Sequence, residues 1–180
     1  QYYYNREDKI KHLKEDKKSR AQVCMDIEEQ LLKMYQDEEL CIKPALLDKR
    51  GGHKYSLAAC SLIDSIANDI NDVHVVNVLN NGTLPFMKDD DVIEVAARIG
   101  ADGAKPIPVR PTWSRHIEGL MQVVKTYEKY TVEAGMNGDD RAAYNAMMVH
   151  PLIGDFKKSR DCYEEMKDAH REFLPQFLGK

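Results

Sequence analysis

Residues 73–86, VHVVNVLNNGTLPF, and residues 89–109, DDDVIEVAARIGADGAKPIPV, decide the fold. The first run is β-branched and short, and Asn81-Gly82 is a strong turn signal. The second alternates at Val92 and Glu94, meets a glycine-containing turn, and resumes as another short extended stretch. Together they predict a small, largely antiparallel sheet of three strands. Asn80-Asn81-Gly82 reads most simply as a hairpin turn. Asp89-Asp90-Asp91 reads as a solvated approach to the second strand rather than a cation site.

The flanks on both sides are helical. Residues 5–37 contain no Gly or Pro and read as one long helix, or two in line, with Val23, Ile27, Leu31 and Met34 on one stripe. Tyr2, Tyr3 and Tyr4 read as core aromatics at its start. Pro44 ends any helix before it, and Gly51-Gly52 in KRGGHKYS (49–56) supplies a flexible turn. YSLAACSLIDSIAND (55–69) resumes the helical period through Leu62, Ile63 and Ile66. After the sheet the helical period returns from Trp113, with Ile117, Leu120, Val124 and Tyr127 on one face. NGDDRAAYNAMMVHPLI (137–153) places a glycine stop and an aspartate start in succession and ends at Pro151. A last helix is expected over 156–172, closed by Pro175. Helices, a small sheet, then helices make an α+β fold, mostly helical. The alternating βαβ order of a nucleotide fold is absent, as are GxGxxG and GxxxxGK[ST].

Composition narrows the function. The 180 residues are 43% hydrophobic and 31% charged, the balance of a globular chain. A net charge of −4 argues against a nucleic-acid surface, and the locally basic KIKHLKEDKK (9–18) interleaves its acids, as a solvated helix face does. Cys24, Cys41, Cys60 and Cys162 form no CxxC pair, which disfavours a zinc ribbon or disulfide framework and suits a reducing cytoplasm. No run approaches the ~18 apolar residues of a membrane span, and the first thirty residues lack the features of a signal peptide.

Few residues announce chemistry on their own. The six histidines form neither HExxH nor HxH, and no GxSxG frames a nucleophile. Arg20 lies in KKSRAQVCMDIEEQ (17–30), on a helix whose opposite face is apolar; its planar fork suits a phosphate or a sugar hydroxyl, although an ordinary surface arginine has the same look. Arg50 precedes Gly51-Gly52, where backbone and side chain could both face a ligand or simply make a turn.

Taken in order, YYYNREDKIK (2–11), SRAQVCMDIEEQLLKMY (19–35), KPALLDKRGGHKYSLAACSLIDSIAND (43–69), VVNVLNNGTLPFMKDDDVIEV (75–95), KPIPV (105–109), GDDRAAYNAMMVHPLI (138–153) and AHREFLPQF (169–177) resemble the C-terminal half of glycoside hydrolase family four, nearest its 6-phospho-β-glucosidases. RGGxxYS, the NNG segment and LPQF are the most specific parts. GTLPF after the second asparagine departs from the commoner Ala/Ile-containing form, which leaves the aglycone open.

The resemblance implies a domain similar to the C-terminal domain of lactate and malate dehydrogenases, used for substrate binding and oligomerisation across residues 1–180. It implies NAD and a divalent metal, typically manganese, in the full-length enzyme. It further implies a redox-elimination-addition route in place of the usual carboxylate pair: a hydride leaves the sugar's C3 for NAD, a tyrosine takes the C2 proton, the aglycone departs, water adds, and the hydride returns. The partners it implies are an N-terminal NAD-binding Rossmann domain missing from this chain, a phosphorylated disaccharide substrate, and further copies of the chain. The family's catalytic tyrosine opens a Y-L-x-Y-Y pattern whose last three positions match Gln1, Tyr2 and Tyr3, so it is expected upstream of Gln1, and the start is expected to be a cut through a longer enzyme. Arg20 in SRA matches the family's substrate-contacting arginine in T-R-A, with Ser19 for the threonine; Arg50 is the second substrate-binding candidate. By this reading the chain alone is inactive and holds no cofactor or metal. The competing expectations are a non-catalytic dimerisation or sensor module of the same fold, and a 6-phospho-α-glucosidase.

Overall fold

In a computed structural model, residues 3–52, 54–109 and 114–177 are described; expectations for Tyr2, His53 and Trp113 lie outside them. In chain order they form α1 (Arg6–Glu15), α2 (Arg20–Met34), α3 (Leu46–Arg50), α4 (Tyr55–Ala67), β1 (Asp72–Leu79), β2 (Val92–Gly100), β3 (Gly103–Pro106), α5 (Arg115–Asn137), α6 (Asp140–Val149) and α7 (Phe156–Ala169). Two 3-10 turns follow, Arg171–Phe173 and Pro175–Phe177. The α+β reading holds: three strands lie in the order β1-β2-β3 in an antiparallel sheet. The residues gather into two compact units, 1–76 with 95–107 and 77–94 with 108–180, and the β1–β2 hairpin runs through both.

In the first unit, the stretch read as one long helix or two is two helices. No glycine or proline breaks it; a capping box does. The Ser19 hydroxyl accepts from the Gln22 amide at 3.2 Å, and the Gln22 side chain accepts from the Ser19 amide at 2.8 Å, so α2 begins afresh at Arg20. Ile27 and Leu31 form the buried stripe of α2, whereas Met34, expected on it, is exposed. Tyr3 and Tyr4 are exposed too, not core aromatics.

The helix expected after Gly51-Gly52 is α4, yet its stripe is not buried. Ile63 and Ile66 are exposed, Leu62 is half-buried, and the fully buried residue is Ser65, whose hydroxyl lies 3.0 Å from His74 Nε2. The period misleads because α4 is apolar nearly all round, with Asp64 its single charge.

β2 and β3 pair antiparallel from Ala97↔Pro106 to Gly100↔Gly103. Ile93, Val95, Ala97 and Ile99 are buried in alternation, as expected of a strand with one face inward.

The second unit holds the tip of the β1–β2 hairpin, where Asn81-Gly82 does turn, the Thr83 amide donating to the Asn80 carbonyl at 2.8 Å, but this turn is only the start of a longer connection. Asn80 is fully buried and organises an extended loop over residues 80–91. Its Oδ1 accepts from the Leu84 amide at 2.7 Å, and its Nδ2 donates to the carbonyls of Leu84 at 3.0 Å and Met87 at 3.1 Å. The acidic run also differs from expectation. Asp91 is 4% exposed, accepts from the Lys88 amide at 2.9 Å and pairs with Lys129 at 2.6 Å, while Asp90 meets the same ammonium at 3.2 Å. Burial alone would raise the Asp91 carboxyl; the hydrogen bonds from Lys129 and the Lys88 amide, with the charges of Lys129 and Lys125, outweigh it and hold the carboxyl below its ordinary range.

α5 ends where glycine predicts. Gly138 takes a left-handed φ of 61°, and a Cβ there would sit 1.8 Å from the Gln176 carbonyl oxygen. Asp139 then caps α6 by accepting from the Arg141 and Ala142 amides. Small buried residues, Ala134, Ala142 and Ala146, let α5 and α6 approach closely. Fully buried Ser159 ties α7 to α6 through the Met147 carbonyl at 3.3 Å. The last helix stops at Ala169, short of the expected 172, and residues from Arg171 wind into the 3-10 turns.

Candidate functional site

Arg20 and Arg50 lie thirty residues apart in sequence and meet in the first unit. Arg20 opens α2 because Ser19 caps it. Its Nη2 donates to two carbonyls at the end of α3, those of Lys49 at 2.9 Å and Arg50 at 3.0 Å. Helix ends leave such carbonyls without intrahelical partners, and an arginine is a fitting donor to them. No hydrogen bond runs from Nε or Nη1 of Arg20 to another described residue, so among the described residues that edge of the fork is open.

Arg50 is held at both ends. Its carbonyl receives Arg20, and the Cys24 sulfur lies 3.9 Å from the same oxygen. Its guanidinium donates to Glu28 at 3.1 Å. Immediately afterwards Gly51 and Gly52 adopt φ of 86° and 76°, a left-handed path open to glycine. A Cβ on Gly52 would press to 3.1 Å of the Tyr55 ring. A cleft of about 410 Å³ runs beside this corner, lined by Glu28, Leu31, Leu47, Arg50, Gly51 and Tyr55.

Glu28, Cys24 and Tyr55 are the site residues that sequence reading does not single out. The signal is available for two of them: Arg20, Cys24 and Glu28 are spaced by four and share one face of α2.

Other polar groups in the second unit serve packing. Gln122 and Lys125 of α5 donate to the Phe86 and Val92 carbonyls, each at 2.7 Å, and clasp the 80–91 loop. Lys125 also pairs with Glu128, and Lys129 with Asp90 and Asp91, so both lysines beside this loop are already engaged. Tyr163 and Lys167 both donate to Asp140; burial, then that carboxylate, pushes the Tyr163 phenol up. Among the described residues no three His, Cys, Asp or Glu side chains come together as a metal-ligand set, so these residues do not fit a complete metal centre of their own. His74, which lies near a buried hydroxyl, is spent on Ser65.

Comparison with known proteins agrees with the motif order. A family described as the family 4 glycosyl hydrolase C-terminal domain matches residues 1–153. A probable 6-phospho-beta-glucosidase of Bacillus subtilis is 38% identical over 99% of this chain and 41% of its own length. The 6-phospho-beta-glucosidase of Escherichia coli is 33% identical over 88% of this chain and 35% of its own. A solved 6-phospho-beta glucosidase from Thermotoga maritima, holding manganese, NAD+ and glucose-6-phosphate, superposes with a TM-score of 0.85 at 30% identity, over 96% of this chain and 41% of that one. The chain therefore spans about two fifths of the length of relatives such as these. By sequence and by fold, it belongs to the C-terminal domain family of the family 4 glycosyl hydrolases.

Proposed function

We propose that these residues are the substrate-binding and oligomerisation part of an NAD- and divalent-metal-dependent 6-phospho-β-glucosidase, and that the Arg20–Arg50 corner contributes to the phosphosugar pocket. The observation that carries this is the half-open fork of Arg20. One edge is fixed on the α3 carbonyls, while the other is left to meet an anionic or hydroxylated ligand. The relatives more than 30% identical that are named above are 6-phospho-β-glucosidases, which favours the β over the α anomer.

The redox route set out above is the reaction proposed for the whole enzyme. NAD, the metal and the catalytic tyrosine are assigned to polypeptide outside these 180 residues, including the Rossmann domain. This chain's part is to bind and orient the sugar phosphate, and alone it is inactive. Self-association belongs to the same reading, because α4 exposes Leu57, Ile63 and Ile66, apolar surface that a native assembly covers. No described helix is long and apolar enough to cross a membrane, and a cytoplasmic site of action is part of the proposal.

The test is turnover by the full-length enzyme. With a chromogenic 6-phospho-β-glucoside, Arg20→Ala should lose one charge-assisted contact, about 1.5–3 kcal/mol, or about 10- to 150-fold in kcat/KM. Unchanged kcat/KM removes Arg20 from the pocket. Cleavage of the substrate by the 180-residue chain alone contradicts the division of labour proposed for it.

A further inference from the structure

We infer that Glu28 and Arg50 are positioning residues: they fix the end of α3 so that its carbonyls aim the fork of Arg20. The inference rests on the assignment of Arg20 to the phosphosugar pocket and gives Arg50 a role other than touching the ligand.

The geometry on one face of α2 carries it. Arg20, Cys24 and Glu28 follow one another at helical spacing, and all three meet the last residue of α3. Arg20 donates to the Arg50 carbonyl, the Cys24 sulfur lies against the same oxygen, and Glu28 accepts from the Arg50 guanidinium. Arg50 is thus laid along α2 and pinned at its main chain and at its side-chain tip. α3 has five residues, too few to hold its own ends in place. Another tie to this helix, Lys43 to Asp48 at 2.6 Å, secures the preceding segment rather than the carbonyls that receive Arg20. The bond from Arg50 to Glu28 is what registers those carbonyls against α2. Glu28 engages one nitrogen of the Arg50 guanidinium, and whether the remainder touches a ligand is decided by the Arg20→Lys background below.

Glu28 and Arg50 are half exposed at their side chains, 52% and 43%, so replacing them leaves the fold intact and the expected effects are modest. Two measurements on the full-length enzyme separate the possibilities. The first is the order and proton exchange of the Arg20 side chain by 15N NMR, with no ligand. The second is the affinity for glucose 6-phosphate by titration in the same spectra. Glu28→Gln and Arg50→Lys should each speed Arg20 Nε exchange and weaken glucose 6-phosphate by about three- to fivefold, the scale of an exposed ion pair. In an Arg20→Lys background both affinity losses should vanish. The charge-swapped pair E28R/R50E should restore wild-type order and affinity.

An Arg20 side chain unmoved by Glu28→Gln overturns the inference. So does an Arg50→Lys loss that persists undiminished in the Arg20→Lys background, since Arg50 would then touch the ligand itself. If Glu28→Gln loosens Arg20 but Arg20→Lys binds glucose 6-phosphate as tightly as wild type, the positioning stands and the pocket assignment falls.

Discussion

Asn80 offers the sharpest test of how the second unit is held together. Its side chain is fully buried and makes three hydrogen bonds: one from the Leu84 amide, two to the carbonyls of Leu84 and Met87. Asn80→Ala removes all three at once. At about 1 kcal/mol net each, the loss is about 3 kcal/mol. The Leu84 amide, on a residue only 3% exposed, is left without its acceptor, which adds about 1 kcal/mol or more. Asn80→Asp, nearly the same shape, distinguishes hydrogen bonding from packing. It keeps an acceptor for Leu84 but turns the donating amide into an oxygen facing two carbonyls. A carboxylate there is buried without a cation, so its folded pKa should lie above its unfolded value. The variant should therefore be weakest at neutral pH and recover as pH falls through that raised pKa. The assay is urea unfolding followed by circular dichroism at pH 4 to 8. If Asn80→Ala costs under about 1 kcal/mol, or if Asn80→Asp shows no recovery in acid, Asn80 is not the organiser of the 80–91 loop.

Three further perturbations probe other contacts. The Asp91 carboxyl is held below its ordinary value, so the stability it lends is full above the unfolded pKa and is lost as pH falls through the folded one. Lys129→Met removes one hydrogen bond and one charge that lower it, so the Asp91 carboxyl should rise and the two proteins' acid unfolding curves should converge as pH falls; parallel curves would show that the pair is energetically idle. Gly51→Ala forces a side chain into φ of 86° and should cost about 1–2 kcal/mol, read as a lowered melting temperature, with Arg20 displaced in the 15N spectrum. Ser19→Ala removes the start of α2 and should cost about 0.5–2 kcal/mol; an unchanged denaturation midpoint would mean that the capping box does not set that boundary.

Much of the fold is local in origin and therefore legible in the sequence. The three strands, the stop at Gly138, the cap at Asp139 and the turn at Gly51-Gly52 each follow from residues adjacent in the chain. Where structure and expectation part, the deciding information is not adjacent. Asn81-Gly82 makes the turn its residues announce, but only the acceptors at Leu84 and Met87, along the same loop, reveal that it opens a longer connection built around a buried amide. Nothing within Asp89-Asp90-Asp91 marks its third member for burial; Lys129, on α5, does that. The absence of Gly and Pro leaves one helix or two open over residues 5–37, and Ser19-x-x-Gln22, a helix-start signature, is what decides for two. For the candidate site, Arg20 is visible through its motif. Glu28 shares a helix face with Arg20, but its partner, twenty-two residues away, is known only once α3 is placed.

Among the described residues, the tether on Arg20 is made of peptide oxygens and contains no carboxylate. Neutral dipoles orient the cation without cancelling it. In the proposed phosphosugar pocket, an incoming phosphate would therefore find no described anion to displace from that fork.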